Sequence, residues 1–368
     1  MKILITGNLG YVGPGVTRQL RARYPDSTLI GIDTGYFAHC LTGAARLPEA
    51  ALDTQIYADI RRISHDVLQG VDAVVHLAAI SNDPMGDAYE NVTFDVNYRA
   101  GADLAAQAQA AGVRSFVFAS SCSVYGAADD HPRTERSEVG PITAYAKSKV
   151  LLERRLGELA GENFHVTCLR FATACGMSDR LRLDLVLNDF VACALSTKRI
   201  TVLSDGTPWR PLIHVADMAR AVEWALERDG AATSNFLVVN TGSDTWNYQV
   251  QELARAVAEV IPGSEVSINR QAPPDRRSYR VDFSLFRSLA PGHQPQMTLL
   301  GTIEGLRDGL ASMYFDDRNF RSSSLMRLRV LTDLRSRGLL TDSLNWTDKP
   351  PVHTDASLTA DTNAVTTA

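Results

Sequence analysis

The opening residues place a short apolar strand directly in front of a glycine-rich turn. Lys2–Thr6 has the aliphatic residues of a buried strand, and the spacing Gly7-x-x-Gly10-x-x-Gly13 comes immediately after it. Val12–Tyr24 then has the pattern of a helix. A strand, a tight glycine turn and a helix in this order are typical of the first unit of a parallel sheet covered by helices.

The same alternation of strand and helix patterns continues through the first half of the chain. Further strands are predicted at Thr28–Asp33, Ala73–Leu77, Ser115–Ser120 and His165–Arg170, and helices at Ala100–Ala111 and Ala144–Ala160. Beyond about residue 170 the pattern is less regular, with helices predicted at Asp184–Leu195 and Trp246–Val260 and strands at Arg199–Leu203 and Phe236–Asn240. We therefore predict an α/β fold, a doubly wound parallel Rossmann sheet with a smaller, interleaved C-terminal α/β lobe.

Composition and charge exclude several classes of protein. The 368 residues are 45% hydrophobic and 21% charged, which is ordinary for a globular protein, and the net charge of -5 disfavours nucleic acid as a partner. The five cysteines are an odd number without C-x-x-C spacing, so we predict neither disulfides nor a metal site. The first apolar run is too short for a signal peptide, and the longest, near residues 73–80, is too short to span a membrane. We predict a cytoplasmic protein without a membrane partner.

The glycine turn predicts a dinucleotide site. Gly7, Gly10 and Gly13 let a pyrophosphate approach the backbone amides and the positive end of the next helix. Asp33 ends the second strand, 20 residues after Gly13, where a carboxylate accepts hydrogen bonds from the ribose hydroxyls of NAD and repels the 2′-phosphate of NADP. The pair Asp59-Ile60 either closes over the adenine or caps a helix.

A tyrosine and a lysine four residues apart, Tyr145 and Lys149, share one face of a predicted helix. A nearby ammonium and a positive nicotinamide would lower the pKa of the phenol from its usual ~10. Tyr145 could then remove a hydroxyl proton while hydride leaves to NAD. Ser121 comes after a strong strand and would hydrogen-bond the same sugar oxygen.

These motifs together resemble the extended short-chain dehydrogenase/reductases, in particular the nucleotide-sugar epimerases and dehydratases, from Met1 to about Trp346. The resemblance implies a set of cofactor-binding residues: Gly7, Gly10, Tyr11, Val12, Gly13, Asp33, Asp59, Ile60, Leu77, Ala78, Ala79, Asn97, Ser120, Tyr145 and Lys149. It also implies a set of substrate-binding residues: Ser81, Asn82, Ser123, Thr173, Asn188, Arg210 and Arg277. In relatives, the arginine at the position of Arg210 contacts the substrate diphosphate, and a second one lies in the run around Arg277.

Two residues depart from the family pattern. Sugar 4,6-dehydratases carry an acid–base pair, usually Asp-Glu, where this chain has Cys122 and Ser123, and decarboxylases of UDP-glucuronate commonly keep a Glu at the second position. This disfavours dehydration and decarboxylation. Cys122 is either a catalytic acid or base, as a cysteine one position later is in some 3- and 5-epimerases, or a packed core residue.

The resemblance implies a domain division and an activity. Residues 1–172 would form the NAD-binding domain, with segments near 204–245 returning to it, residues 173–346 mainly the substrate lobe, and residues 347–368 a disordered tail. We predict an NAD-dependent epimerase of a nucleotide-diphosphate sugar that acts through Tyr145, Lys149 and Ser121, with Cys122 as the base if C3 or C5 is inverted. The alternatives are a 4,6-dehydratase, a 4-keto-sugar reductase or a non-catalytic NAD-binding sensor. Relatives imply a homodimer.

Overall fold

The computed structural model describes residues 1–127, 131–228, 234–272 and 278–348. Its strands are β1 (Lys2–Thr6), β2 (Thr28–Asp33), β3 (Thr54–Tyr57), β4 (Ala73–His76), β5 (Ser115–Ser121), β6 (His165–Phe171), β7 (Thr173–Cys175), β8 (Arg199–Val202), β9 (Trp209–His214), β10 (Phe236–Thr241), β11 (Asn247–Gln249) and β12 (Glu265–Ile268). Of the tail predicted at 347–368, the residues from 349 onward lie outside the described part.

Eleven α-helices lie within the described residues. They are α1 (Gly13–Arg23), α2 (Asp83–Ala88), α3 (Glu90–Phe94), α4 (Gly101–Ala110), α5 (Ala144–Leu159), α6 (Val186–Ser196), α7 (Val215–Glu227), α8 (Val250–Val260), α9 (Ser284–Leu289), α10 (Leu299–Ser312) and α11 (Arg327–Ser336). A π-helical turn, Asp95–Ala100, joins α3 to α4. Short 3-10 helices lie at Pro48–Ala51, Ile60–Arg62, His65–Leu68, Cys122–Tyr125, Asp244–Trp246, Pro291–His293 and Phe320–Ser322.

Seven parallel strands form the central sheet, in the order β10-β6-β5-β4-β1-β2-β3. The chain builds β2 and β3 on one side of β1 and then crosses to β4 on the other side. This reversal opens a crevice at the carboxyl ends of β1 and β4, where ligands bind in sheets of this kind. The order confirms the predicted doubly wound α/β fold.

Helices cover both faces of the sheet. On one face α1 packs against α7, and the apolar side chains of both join a large core with the strands. On the other face α4 packs against α5, where Leu104 and Leu152 contact a second core that contains Phe116 and Phe118 of β5. Strand β10 returns from late in the sequence to pair with β6 at the edge of the sheet. The packing of α4 and α5 on the sheet places the first turn of α5 beside the end of β5.

Two smaller sheets lie in the second half, in the orders β11-β9-β7 and β12-β8. The helix predicted at Trp246–Val260 is wrong at its start, because Asn247–Gln249 pair with β9 as a strand and the helix begins only at Val250. Helix α11 packs on the first half, where its Leu331 joins Tyr36, Met85 and Tyr89 in a third apolar cluster.

Candidate functional site

A cavity of about 710 Å³ opens at the carboxyl ends of the central strands and reaches into the second half of the chain. Most of the residues predicted for the site line it: Gly7, Gly10, Tyr11, Val12, Gly13, Asp33, Asp59, Ile60, Leu77, Ala78, Ala79, Ser81, Asn82, Ser120, Ser121, Ser123, Tyr145, Lys149, Thr173 and Arg210. The structure thus brings residues from widely separated segments to one site. Arg277, also predicted to bind substrate, lies outside the described residues.

The glycine turn packs so tightly against neighbouring backbone that side chains would not fit. Gly7 has a φ of 75°, and a Cβ atom there would lie 2.5 Å from the backbone nitrogen of Ala78. A Cβ atom on Gly13 would lie 2.0 Å from the carbonyl oxygen of Asn8. Helix α1 starts at Gly13 with its amino end at the cavity wall. The tight turn and the amino end of α1 form a cradle that fits a pyrophosphate, as the dinucleotide prediction requires.

Asp33 lies at the end of β2 with its carboxylate fixed. One oxygen accepts the amide of Gly35 (2.8 Å) and the other accepts the amide of Leu9 in the glycine turn (3.1 Å). Burial raises the pKa of Asp33, and the two amides oppose that rise. Asp59 lies on the cavity wall and caps a 3-10 helix by accepting the amide of Arg61 (2.9 Å), so both interpretations of that residue fit its place.

Tyr145, Lys149 and Ser121 meet between the two halves of the cavity. Thr143 caps the start of α5 by accepting the amide of Ala146 (3.2 Å), which places Tyr145 in the first helical turn. Ser121 and Tyr145 both line the cavity, and the Ser121 hydroxyl acts to lower the pKa of the phenol. Lys149 Nζ donates to the carbonyl of Ala119 (2.7 Å) and lies 5.5 Å from the centre of the Tyr145 ring.

Burial dominates the electrostatics of this group. Burial raises the pKa of Tyr145 to about 12, the Ser121 hydroxyl opposes the rise, and the charges of Asp83 and Arg182 act in opposite directions. Burial also lowers the pKa of Lys149 to about 7, against the pull of Glu153. Within the protein alone, desolvation of the phenolate therefore keeps the pKa of Tyr145 high, and the lowering expected from a positive nicotinamide stays a prediction.

A polar wall faces Tyr145 on the substrate side. Arg182 forms an ion pair with Asp184 (2.6 Å) and donates to Ser81 (2.9 Å), while Asn82 donates to Asp184 (2.9 Å). Asp83 accepts the hydroxyl of Thr143 (2.6 Å). The predicted substrate-binding set contained Ser81 and Asn82, and Asp83, Arg182 and Asp184 also line the cavity. The alternating charged residues of the run Arg180-Leu-Arg182-Leu-Asp184 are the sequence feature that could have indicated this wall. Arg182 lines the cavity, whereas Arg180 pairs with Glu49 (2.6 Å).

Three predicted site residues lie in the interior instead. Cys122 is fully buried, its thiol donates to the carbonyl of Arg170 (3.1 Å), and burial raises its pKa, which favours the alternative of a packed core residue. Asn97 bridges the backbone of Ile80 to the Ser148 hydroxyl (3.1 Å) and thus holds the β4 end to α5 rather than facing the cofactor crevice.

Asn188 is the third such residue. Its amide donates to the Tyr11 hydroxyl (3.0 Å) and to the carbonyl of Arg182 (2.9 Å), and it accepts from the amide of Gly176 (3.0 Å). The side chain is fully buried. Its polar atoms are therefore used to join the glycine turn to the second half, which contradicts a direct role in nucleotide binding.

The C-terminal segment also reaches the cavity, which the sequence did not indicate. Arg321, Met326 and Arg327 line it. The Trp346 indole donates to the carbonyl of Thr34 (2.7 Å), directly after Asp33. Arg61, beside the cavity residue Ile60, donates to the carbonyl of Ser343 (2.7 Å). This segment closes the side of the crevice where Asp33 lies.

One polar cluster away from the cavity has the residue types of a metal site. Glu223, Glu227 and His293 place ligand atoms within 4.8 Å of one another, among the residues that the structure describes. Arg23 pairs with Glu227 (2.6 Å) and Gln19 donates to Glu223 (2.5 Å), so both carboxylates already have cationic or amide partners. None of the helices in the described ranges combines the length and apolar character that crossing a membrane requires.

Known proteins with similar sequences carry out several reactions. A UDP-glucose 4-epimerase of Corynebacterium glutamicum is 27% identical over 291 residues, covering 74% of this chain and 85% of the relative. UDP-glucuronic acid decarboxylase 6 of Arabidopsis thaliana is 26% identical over 330 residues, covering 86% and 89%. Among solved structures, the NAD-dependent NDP-hexosamine 5,6-dehydratase TunA is similar with a TM-score of 0.73 and 25% identity, covering 86% of this chain and 99% of TunA.

The family model of the NAD dependent epimerase/dehydratase family matches residues 3–240, well over half of the chain. The matched range contains the glycine turn, Asp33, Ser121, Tyr145 and Lys149. The match confirms the resemblance to extended short-chain dehydrogenases and the prediction of NAD as the cofactor, and the cradle at Gly7 and Gly13 fits that cofactor. The chain belongs to the NAD-dependent epimerase/dehydratase family.

Proposed function

We propose that this protein is an epimerase of a nucleotide-diphosphate sugar, which inverts C4 through transient oxidation. The observation that carries the proposal is that Ser121, Tyr145 and Lys149 line one cavity together with the glycine turn and the polar wall. Lys149 follows Tyr145 by one helical turn. The relatives named above act on UDP-glucose and UDP-glucuronic acid, which supports a nucleotide sugar as substrate.

The chain's own residues would divide the work between cofactor and substrate. Gly7, Gly10 and Gly13 hold the pyrophosphate of NAD, and Asp33 binds its ribose. Bound NAD supplies a hydride acceptor that can return the hydride. Tyr145 takes the proton of the 4-hydroxyl through Ser121 and later gives it back, as general base and then general acid. Arg210 on β9 holds the substrate diphosphate.

The two residues after Ser121 favour epimerisation over elimination. Removal of water needs a base for the C5 proton and an acid for the leaving hydroxyl. Cys122 is buried with a raised thiol pKa, and Ser123 offers only a hydroxyl. Neither residue therefore replaces the acid–base pair that dehydratases carry at these two positions. The carboxylate of Asp83 is the residue to test if elimination occurs.

Proton NMR in D2O tests the proposal. Purified enzyme without added cofactor is mixed with hexoses and hexuronates linked to UDP, dTDP, GDP or CDP. We expect one nucleotide sugar to yield its C4 epimer without deuterium on carbon. A 6-deoxy methyl signal with loss of water, or loss of CO2 from a hexuronate, would contradict the proposal.

Tyr145→Phe is the matched loss-of-function control. It removes the phenol oxygen and keeps the ring, so turnover should fall about 10²- to 10⁴-fold, the usual contribution of a positioned acid–base group. Bound NAD should be retained. Tyr24→Phe, which removes a hydroxyl that donates to Glu227 (3.3 Å) on the outer surface, should leave turnover unchanged. A non-catalytic NAD-binding protein would show no turnover with any of these variants or with wild type.

A further inference from the structure

Helix α5 presents a third side chain on the face that carries Tyr145 and Lys149. Glu153 comes one turn after Lys149, so the three residues have the spacing i, i+4 and i+8. They meet three consecutive residues of β5. The Ser121 hydroxyl acts on the pKa of Tyr145, the Ala119 carbonyl accepts Lys149 Nζ (2.7 Å), and the Ser120 hydroxyl donates to Glu153 (2.5 Å).

Glu153 is held rigidly in the interior. It is 4% exposed and accepts both Nε (2.9 Å) and Nη2 (2.7 Å) of Arg170, the residue on β6 that lies beside Ser120. Arg170 also donates to the hydroxyl of Tyr125 (3.0 Å), which in turn donates to Asn240 (2.6 Å). The arginine that binds this carboxylate is therefore itself held by a hydrogen bond to a neighbouring side chain.

Stability alone gives a weak reason for this arrangement. Desolvating two charges offsets much of the attraction in a buried ion pair, and apolar replacements are often as stable. Glu153 follows Lys149 by one helical turn, and Lys149 Nζ is 4.7 Å from the centre of the Phe118 ring. A negative charge placed here acts on the lysine that the reaction uses.

Three other titratable groups face Lys149 and carry no charge near neutral pH within the protein alone. Burial lowers the pKa of His76 on β4 to about 3, raises the pKa of the Cys168 thiol on β6, and raises the pKa of Tyr145 to about 12. Arg170 is positive, and its two bonds to Glu153 offset part of the charge of both groups. Glu153 is the carboxylate of this group, and its charge favours the protonated form of Lys149.

We propose that Glu153 is a positioning residue, which together with Ser120 fixes α5 against the end of β5 and keeps Lys149 charged beside Tyr145. The catalytic role of Glu153 in this inference rests on the proposed function. Its effect on the charge of Lys149 does not depend on which substrate the enzyme uses.

The test measures Lys149 directly in the NAD-loaded enzyme. The chain has five lysines, Lys2, Lys147, Lys149, Lys198 and Lys349, so ¹³C-lysine labelling gives few Cε signals, and Lys149→Met assigns one of them. Because the carboxylate opposes deprotonation, Glu153→Gln should lower the titration midpoint of Lys149 by about one pH unit or more. Glu158→Gln is the matched control, since Glu158 is an exposed glutamate of the same helix that pairs with Arg155 (2.8 Å). It should leave the midpoint unchanged.

Two further variants separate charge from structure. Glu153→Gln combined with Arg170→Gln removes both buried charges and avoids an unpaired arginine, and the Lys149 midpoint should stay low. Glu153→Asp keeps the charge and should restore much of the wild-type midpoint. An unchanged midpoint in both Glu153→Gln and the double variant would overturn the proposal.

Activity gives a second readout. If charged Lys149 is required, the high-pH limb of kcat/KM should move to lower pH in Glu153→Gln by the same amount as the NMR midpoint. A shifted midpoint in an enzyme that turns over no nucleotide sugar would leave the positioning role standing and sink the proposed function. Turnover of a nucleotide sugar together with an unshifted Lys149 midpoint would support the proposed function and overturn the positioning role of Glu153.

Discussion

Strand β5 ends at Ser121, and the chain turns there into a short 3-10 helix that begins at Cys122. Ser121 and Ser123 line the cavity, whereas Cys122 between them is fully buried. The Cys122 thiol points into the core and donates to the carbonyl of Arg170 on β6 (3.1 Å). A cysteine at position 122 therefore packs in the core, whatever its chemistry could do.

Replacing Cys122 tests this assignment. Cys122→Ala should leave kcat and KM within about twofold of wild type, because the thiol touches no reacting group, and should lower the free energy of unfolding by about 1 kcal/mol through lost packing. Turnover and thermal unfolding of the purified variant measure both. Cys168→Ala, at another fully buried cysteine, serves as the control. A tenfold loss of turnover in Cys122→Ala alone would restore a catalytic role.

Residues whose function depends on local spacing were predictable. The three glycines and the Tyr145/Lys149 pair each lie within one turn or helix, and the structure brings all of them to the cavity. Asn188 was not predictable, because its amide bonds Tyr11, which is 177 residues away in the sequence. A polar residue type at a helix start does not reveal whether its partner is a ligand or another part of the chain.

At the scale of elements, the C-terminal segment after α10 is the part that sequence patterns did not assign. Helix α11 packs on the first half, Leu340 and Leu344 join the same apolar cluster as Tyr36, and the Trp346 indole donates to the carbonyl of Thr34. This segment lies after the range that the family model matches. Its Arg321, Met326 and Arg327 line one wall of the cavity, and its Trp346 indole contacts the backbone directly after Asp33.

Shortening the chain tests that wall. Ending the protein after Gly338 removes Leu340, Leu344 and Trp346, and should weaken NAD binding at least about tenfold, the equivalent of about 1.4 kcal/mol. Ending it after Asp348 removes only residues beyond the described part and should leave binding unchanged. Calorimetric titration of NAD-stripped protein measures both. Equal affinities in the two truncated proteins would contradict a role for this wall in cofactor binding.

Strands with strong β-branched runs were predicted, and short edge strands were not. β1, β2, β5 and β6 appear at the expected places because each is buried within the sheet and has a continuous apolar run. Strand β3 and strand β11 have only partly buried or exposed residues. They form because a neighbouring strand offers backbone partners, which is information that their own sequence does not contain.

At the scale of the whole molecule, one cavity serves both halves of the chain. The glycine turn, Asp33, Tyr145, Thr173 and Arg182 all line it. The Trp346 indole of the C-terminal segment donates to the carbonyl of the residue directly after Asp33. The proposed C4 epimerisation requires that the cofactor stay bound in this cavity and be regenerated within each turnover.

The fate of the hydrogen on C4 tests this central claim most directly. A nucleotide sugar that the enzyme accepts is prepared with deuterium at C4 and converted in ordinary water, with Tyr145→Phe as the inactive control. We predict that the inverted product keeps its deuterium at C4, because the hydrogen leaves and returns within the closed cavity. Deuterium in the solvent or in free cofactor, or a product without label at C4, would contradict internal oxidation and return.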